Sequence, residues 1–212
     1  ISKDVLKEVV LAQQKDLELP LGVTREKQVK PLKKFALIIT GLRRTGKSTL
    51  LRQYFSKKKT IYYLHFEDLR LSSFETSDFT KLDIVFEETL GKKGVYFLDE
   101  VQNIDGWEIY VRSLVDSGKE VYVTGSNSSL MSKELGTRLT GRHISEELYP
   151  FNFSEFSLAK KKKESLKLFD DYLISGGLPE YVLQQDVRIL ESLVKDIIYK
   201  DVLVRHRIRE EA

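Results

Sequence analysis

Five short runs of apolar, β-prone residues punctuate the middle of the chain: 35–40 (FALIIT), 60–66 (TIYYLHF), 94–98 (GVYFL), 119–124 (KEVYVT) and 143–149 (HISEELY). Between most of them the apolar positions recur at a helical period, over 47–56, 78–90 and 107–117. Strand runs alternating with helical patterns are what a parallel sheet covered on both faces produces, because each parallel crossover is made by a helix. Ahead of this region, residues 2–18 place Val5, Leu6, Val9, Val10 and Leu17 at helical spacing behind a Ser2 cap. Pro20 and Gly22 end that helix. After Pro150 only helical patterns remain, at 153–160, 164–175, 178–185 and 187–209, with the Gly176 and Gly177 pair as the break. In the last of them Val187, Leu190, Val194, Ile197 and Ile198 keep an apolar face. The pattern predicts an α/β protein: an N-terminal helix and linker (1–30), a five-stranded parallel sheet flanked by helices (31–150), and a small C-terminal helical subdomain (151–212).

Composition narrows the function classes. The 212 residues suit one α/β domain with a helical appendage, and 41% hydrophobic with 32% charged residues excludes disorder. The longest strongly apolar run, FALII at 35–39, is far too short to span a membrane. Cysteine is absent and the start shows no secretion-signal pattern, so an intracellular, cytoplasmic location is expected. The net charge of +3 is too small to name a nucleic-acid partner, and the clusters at 57–59, 160–163 and 205–209 read as solvated faces. The sequence opens at Ile1 and closes at Ala212 within a charged helical pattern, which reads as a fragment of a longer protein.

The strongest chemical signal is FALIITGLRRTGKSTLLRQYF, which is strand, GxxxxGKS, then helix. Gly41 and Gly46 permit a tight loop whose successive N–H groups, from Gly41, Leu42, Arg43, Arg44, Thr45, Gly46, Lys47, Ser48 and Thr49, surround phosphate oxygens at a helix N-terminus. Lys47 would reach the β- and γ-phosphates of ATP or ADP, and the Ser48 hydroxyl would ligate Mg²⁺. Arg43 and Arg44 meet nucleotide, a carboxylate such as Asp68, or solvent. The second signal is YFLDE, 52 positions after Lys47 at Asp99, where a buried strand lifts two carboxylates to its C-terminal end. Asp99 would hold magnesium through water, and Glu100 would polarise the attacking water as general base. The next strand ends in Thr124, Gly125, Ser126 and Asn127. Either Ser126 or Asn127 could report the γ-phosphate there, against a plain turn reading.

Arg138 and Arg142 suit stabilisation of γ-phosphoryl charge, in this chain or across a subunit boundary, or else structural pairing with Glu134 or Glu147. Pro179, in SGGLPEY, fixes a helix start and is also placed to pack against adenine. Trp107 reads as a core residue at a helix start. His65, His143 and His206 are too scattered for a metal site, which leaves magnesium as the expected ion. No NKxD sequence occurs, which disfavours a GTPase. Adjacent Asp99 and Glu100 suit water activation better than transfer to a small-molecule acceptor.

Taken together, GLRRTGKST, LDEVQNIDGWE, the stretch from VTGSNSSL to YPFNFSEF, and SGGLPEYV followed by KDIIYKDVLVRHRIR resemble the AAA-type ATP-binding proteins of archaea and bacteria, a group close to the STAND signalling NTPases. The resemblance spans positions 35–210. It implies nucleotide binding at 41–49, magnesium and hydrolysis at Asp99 and Glu100, a sensor at Ser126 or Asn127, and base contact through Gly177 and Pro179. It also implies that the strand of Asp99 is separated from that of Lys47 by the strand ending at Thr124, and that the helical subdomain forms a lid. Members of that family continue into a winged-helix region and a further domain. A nucleic-acid (DNA) or protein partner is therefore expected through the missing part, and homo-oligomers through the arginines. Two function classes follow: an ATPase driving work on nucleic acid or protein, and a signalling switch that holds nucleotide tightly and hydrolyses it slowly.

Overall fold

A computed structural model describes residues 1–55, 60–125, 139 and 141–199. The run at 57–59, the end of the last helical pattern, Ser126, Asn127 and Arg138 lie outside the described residues.

Five parallel strands, β1 (Ala36–Thr40), β2 (Ile61–His65), β3 (Val95–Asp99), β4 (Val121–Thr124) and β5 (His143–Glu147), form one sheet in the order β2-β3-β4-β1-β5. β4 lies between β1 and β3, as the resemblance implies. Alternate residues of each strand enter opposite cores, which follows from the two-residue period of extended chain. Ile38, Leu64, Leu98 and Val123 face one side, beneath α1 (Lys3–Gln14), α3 (Asp78–Leu90) and α4 (Trp107–Asp116). Leu37, Ile39, Tyr63, Phe97 and Tyr122 face the other, where Leu50, Leu51 and Phe55 of α2 (Lys47–Phe55) cover them. Trp107 is buried at the start of α4, as the sequence suggests.

Helix α1 packs on α3 and β2, with Leu6, Val9 and Val10 fully buried, so the N-terminal helix is a layer of the main core. Its Gln13 also closes the sheet edge. The side-chain amide donates to the His65 carbonyl (3.1 Å) and accepts from the His65 N–H (2.7 Å), satisfying outward backbone groups of edge strand β2.

Past β5 the chain turns into α5 (Phe153–Lys160), α6 (Leu166–Ser175), α7 (Pro179–Gln184) and α8 (Arg188–Asp196). Phe151, Phe156, Leu168 and Val182 give this unit its own core, with Val23 of the N-terminal linker packed against it. Asn152 and Glu155 cap α5 reciprocally, each side chain bonding the other's N–H. Gly177 is required by close approach: a Cβ there would stand 2.1 Å from the Phe151 carbonyl oxygen, while the Gly177 carbonyl accepts from the Phe151 N–H at 2.7 Å.

The apolar face expected on the last helix is only partly turned inward: Leu190 and Ile197 are half-buried, Val187, Val194 and Ile198 are 58%, 54% and 46% exposed, and Leu193, at 7%, is buried. The inward side also carries Ser192 and Asp196, which reach the loop after β1.

Candidate functional site: a phosphate loop facing an acidic strand end

The parallel arrangement brings the C-terminal ends of β1, β3 and β4 side by side, the edge at which open α/β sheets bind ligands. The loop 41–46 leaves β1 there and enters α2 at Lys47. Gly41 passes so close to the end of β5 that a Cβ would meet the Leu148 carbonyl oxygen at 2.4 Å, and its φ of 152° lies where glycine is favoured. Thr45 is buried and braces the loop, its hydroxyl donating to the Leu42 carbonyl at 2.8 Å, while the Leu42 side chain is exposed. The Lys47 ammonium donates to the carbonyls of Gly41 and Leu42, both at 3.2 Å, and lies 3.7 Å from Glu100 Oε1. Gly46, Lys47, Ser48 and Thr49 line a cavity of about 380 Å³ that also meets Glu100 and Asp196.

Asp99 is buried at the end of β3 and fully engaged. Ser48 donates to its Oδ1 at 2.9 Å, the Thr124 hydroxyl donates to the same oxygen, and the Tyr63 hydroxyl donates to Oδ2 at 3.1 Å. His65 Nδ1 stands 3.5 Å from Oδ2. Burial pushes the Asp99 carboxyl upward, but His65, Thr124 and Ser48 outweigh it and hold the group below the usual carboxylate range. Burial likewise disfavours the His65 imidazolium, and the Asp99, Glu67 and Glu100 carboxylates overcome that and raise its pKa. Asp99 itself forces Tyr63 further from ionisation, after burial.

Glu100 follows in the left-handed region, at φ 55°, which is uncommon for a residue with a side chain and is held here from several sides. Its N–H donates to the Thr124 carbonyl at 3.1 Å and also approaches the Thr124 hydroxyl. Gln102 donates to its Oε2 at 2.6 Å. The carboxylate is thus turned back over the lysine rather than along the strand.

The donor set fits magnesium in the manner of phosphate-loop proteins. One hydroxyl and one carboxylate already meet, and the described residues hold no cluster of three His, Cys, Asp or Glu side chains that could cage an ion alone. Mg²⁺ keeps waters and phosphate oxygens as ligands and needs few protein groups.

Several contributors escape motif reading. Arg25, in the linker, is buried against Glu155, with side-chain exposures of 4% and 3% and an Nε–Oε1 distance of 2.9 Å. Its other nitrogens donate to the carbonyls of Thr45 in the phosphate loop and Tyr149 after β5, each at 2.7 Å, and its guanidinium lies over the Phe151 ring. One arginine therefore ties linker, loop and first C-terminal helix together. Tyr63, His65 and Thr124 surround Asp99, and Gln102 steers Glu100. Position at a strand end was the available signal for His65 and Thr124; for Arg25 there was none, since its partners are 20 to 130 residues away.

Other expected residues are dispersed. Arg43 pairs with Glu67 at 3.3 Å, while Asp68 is engaged by Arg70 and Gln13. Arg44 reaches the C-terminal helices, contacting Glu180 at 3.2 Å, Ser192 at 3.2 Å and Asp196 at 3.4 Å. Pro179 occupies the first turn of α7, the position where its missing N–H costs least. Arg142 sits just before β5, on the opposite edge of the sheet, where its Nε lies 3.1 Å from Asp116. A strand of five residues, about 16 Å, separates it from the phosphate edge, so it does not reach the pocket of its own chain. The pairing considered with Glu147 gives way to Asp116 because the register puts Arg142 beside the end of α4.

The geometry agrees with comparison to known proteins. The "AAA domain" family matches residues 33–157. The chain is 34% identical to uncharacterized protein MJ1544 of Methanocaldococcus jannaschii, over 99% of this chain and 51% of that protein. It is 33% identical to an uncharacterized protein of Haemophilus influenzae, over 83% of this chain and 48% of the other. The chain thus spans about half the length of these curated relatives. Among solved structures, C. elegans PCH-2 superposes with a TM-score of 0.50 at 14% identity, covering 97% of this chain and 68% of that one, a likeness of fold. With its phosphate loop, acidic strand end and strand order in place, the chain belongs to the AAA domain family.

Proposed function

We propose that this chain is an ATP-binding, Mg²⁺-dependent ATP-hydrolysing module that couples nucleotide state to a rearrangement of its C-terminal helices. The observation that carries the reading is the meeting of Lys47, Ser48 and Glu100 around one cavity, with Asp99 directly behind Ser48. In this reading Lys47 exchanges its loop carbonyls for the β- and γ-phosphate oxygens, and the loop N–H groups complete the cradle. Ser48 and Asp99 hold Mg²⁺, which supplies charge neutralisation at the phosphates when bound. Glu100 accepts a proton from a water in line with the γ-phosphate, and Gln102 fixes which carboxylate oxygen is free to do so.

The coupled work is on nucleic acid or on protein, met through regions beyond this chain. Arg142 faces away from its own pocket, so its catalytic route is the γ-phosphate of a neighbouring subunit in a homo-oligomer. Pro179 and Gly177 remain the candidates for base contact, and Ser126 or Asn127 for the sensor. Phosphate release from Mg-ATP, with and without a chelator, tests the reading: sustained turnover that the chelator stops supports it. Tightly held ADP with negligible turnover would instead mark the slow signalling switch, and failure to bind any nucleotide would overturn both.

A further inference from the structure

Besides Arg25, which ties the phosphate loop to α5, a side chain of the loop itself reaches the later C-terminal helices. Arg44 lies within the loop at φ 65°, a left-handed conformation that disfavours a residue with a Cβ and in which glycine would be unstrained. Its guanidinium nevertheless spans to two helices, with Nη1 on Glu180 of α7 and Nη2 on both Ser192 and Asp196 of α8. Helix α8 meets the loop through Ser192 and Asp196, while Val187, Val194 and Ile198 are left exposed. Docking by partly exposed ion pairs is weak and sensitive to competing charge, unlike docking by an apolar face. Asp196 also lines the cavity that contains Lys47 and Ser48, so a polyphosphate there faces its carboxylate directly.

We propose that Arg44 is a phosphate-responsive clasp: polyphosphate in the cavity competes with Glu180 and Asp196 for its guanidinium, and α8 is released from the phosphate loop. The inference rests on the nucleotide-binding reading above. Arg44 is a positioning residue for α8, and the two carboxylates are its competitors with phosphate. Repulsion between Asp196 and the incoming phosphate acts in the same direction as the loss of the arginine. The release uses no change of fold, only the exchange of one set of anions for another around a fixed cation.

Hydrogen exchange of the amides of 188–196, referenced to 78–90, tests this alongside a titration with a fluorescent ATP analogue. Saturating ATP should speed exchange of α8 roughly tenfold, the scale expected for losing two partly exposed ion pairs. Arg44→Gly, chosen because the backbone there favours glycine, should show the fast exchange without nucleotide and no further response. Arg44→Lys keeps a charge but not the fork, and should restore only part of the protection. Glu180→Gln with Asp196→Asn should also exchange fast and bind the analogue roughly three to ten times more tightly. Bound analogue with unchanged or slower α8 exchange overturns the clasp alone. Normal protection of α8 in Arg44→Gly overturns it without reference to nucleotide. Absence of analogue binding by the unaltered protein overturns the nucleotide reading and the clasp with it.

Discussion

Ser48, in the first turn of α2, donates its hydroxyl hydrogen to Asp99 at the end of β3 across 2.9 Å, joining two motifs that lie 51 residues apart. The hydroxyl and the carboxylate satisfy each other, and in the proposed reading they are the pair that would hold Mg²⁺.

Ser48→Ala should therefore have two effects. Asp99 loses one donor in a buried place, which costs about 1–3 kcal/mol of stability, measurable by urea denaturation. The affinity for ATP should also become indifferent to chelation of Mg²⁺, whereas the unaltered protein should bind more weakly once Mg²⁺ is removed. Equal chelator sensitivity in the two proteins would exclude Ser48 as a ligand.

Gln102→Ala should leave ATP affinity unchanged and lower turnover about tenfold to a hundredfold. The basis is the 2.6 Å bond that orients Glu100, a hydrogen bond to a charged group worth about 1.5–3 kcal/mol. A shift in affinity with unchanged turnover would contradict a positioning role.

Arg25→Met should destabilise the fold by about 3–5 kcal/mol, because it strands Glu155 as a buried charge and leaves the Thr45 and Tyr149 carbonyls without their donor. Adding Glu155→Leu should recover part of the loss and no more, since Glu155 also accepts from the N–H groups of Glu26 and Asn152. Denaturation of the two single variants and the double variant reads the coupling directly; additive losses would argue against a buried pair.

Gly177→Ala should lower stability by about 1–3 kcal/mol, whether or not nucleotide is present, because the added methyl collides with the Phe151 carbonyl. Thermal unfolding with and without ATP checks it. A loss confined to the nucleotide-bound protein would show that the base contact proposed for Gly177, and not its packing on Phe151, sets the requirement for glycine.

What the sequence disclosed and what it withheld divide along physical lines. Strands β1 to β5 and the crossover helices were legible because local period and burial coincide in a parallel sheet, where even the edges of each run are set by Gly, Pro and charged residues. That Lys47, Ser48, Asp99 and Glu100 would meet at one end of the sheet was legible because a glycine-rich loop is local in sequence and an acidic strand end advertises itself. Arg25, Gln13 and Gln102 were not, since a linker arginine, a helix glutamine and a turn glutamine become functional only through partners supplied by the fold. The orientation of α8 was not legible for a related reason: Ser192 and Asp196 face Arg44, a partner far away in sequence, while Val194 and Ile198 stay outside.

The most direct test of the ATPase reading is the contrast between Lys47→Ala and Glu100→Gln, measured by ATP titration and steady-state phosphate release on the same preparations. Removing the lysine should weaken ATP binding by about 3 kcal/mol, roughly a hundredfold, because its charged donors reach the phosphates. Removing the carboxylate charge should leave binding intact and lower turnover by about 10²–10⁴, the contribution of a general base. Unaltered turnover in Glu100→Gln, or unaltered affinity in Lys47→Ala, would contradict the account.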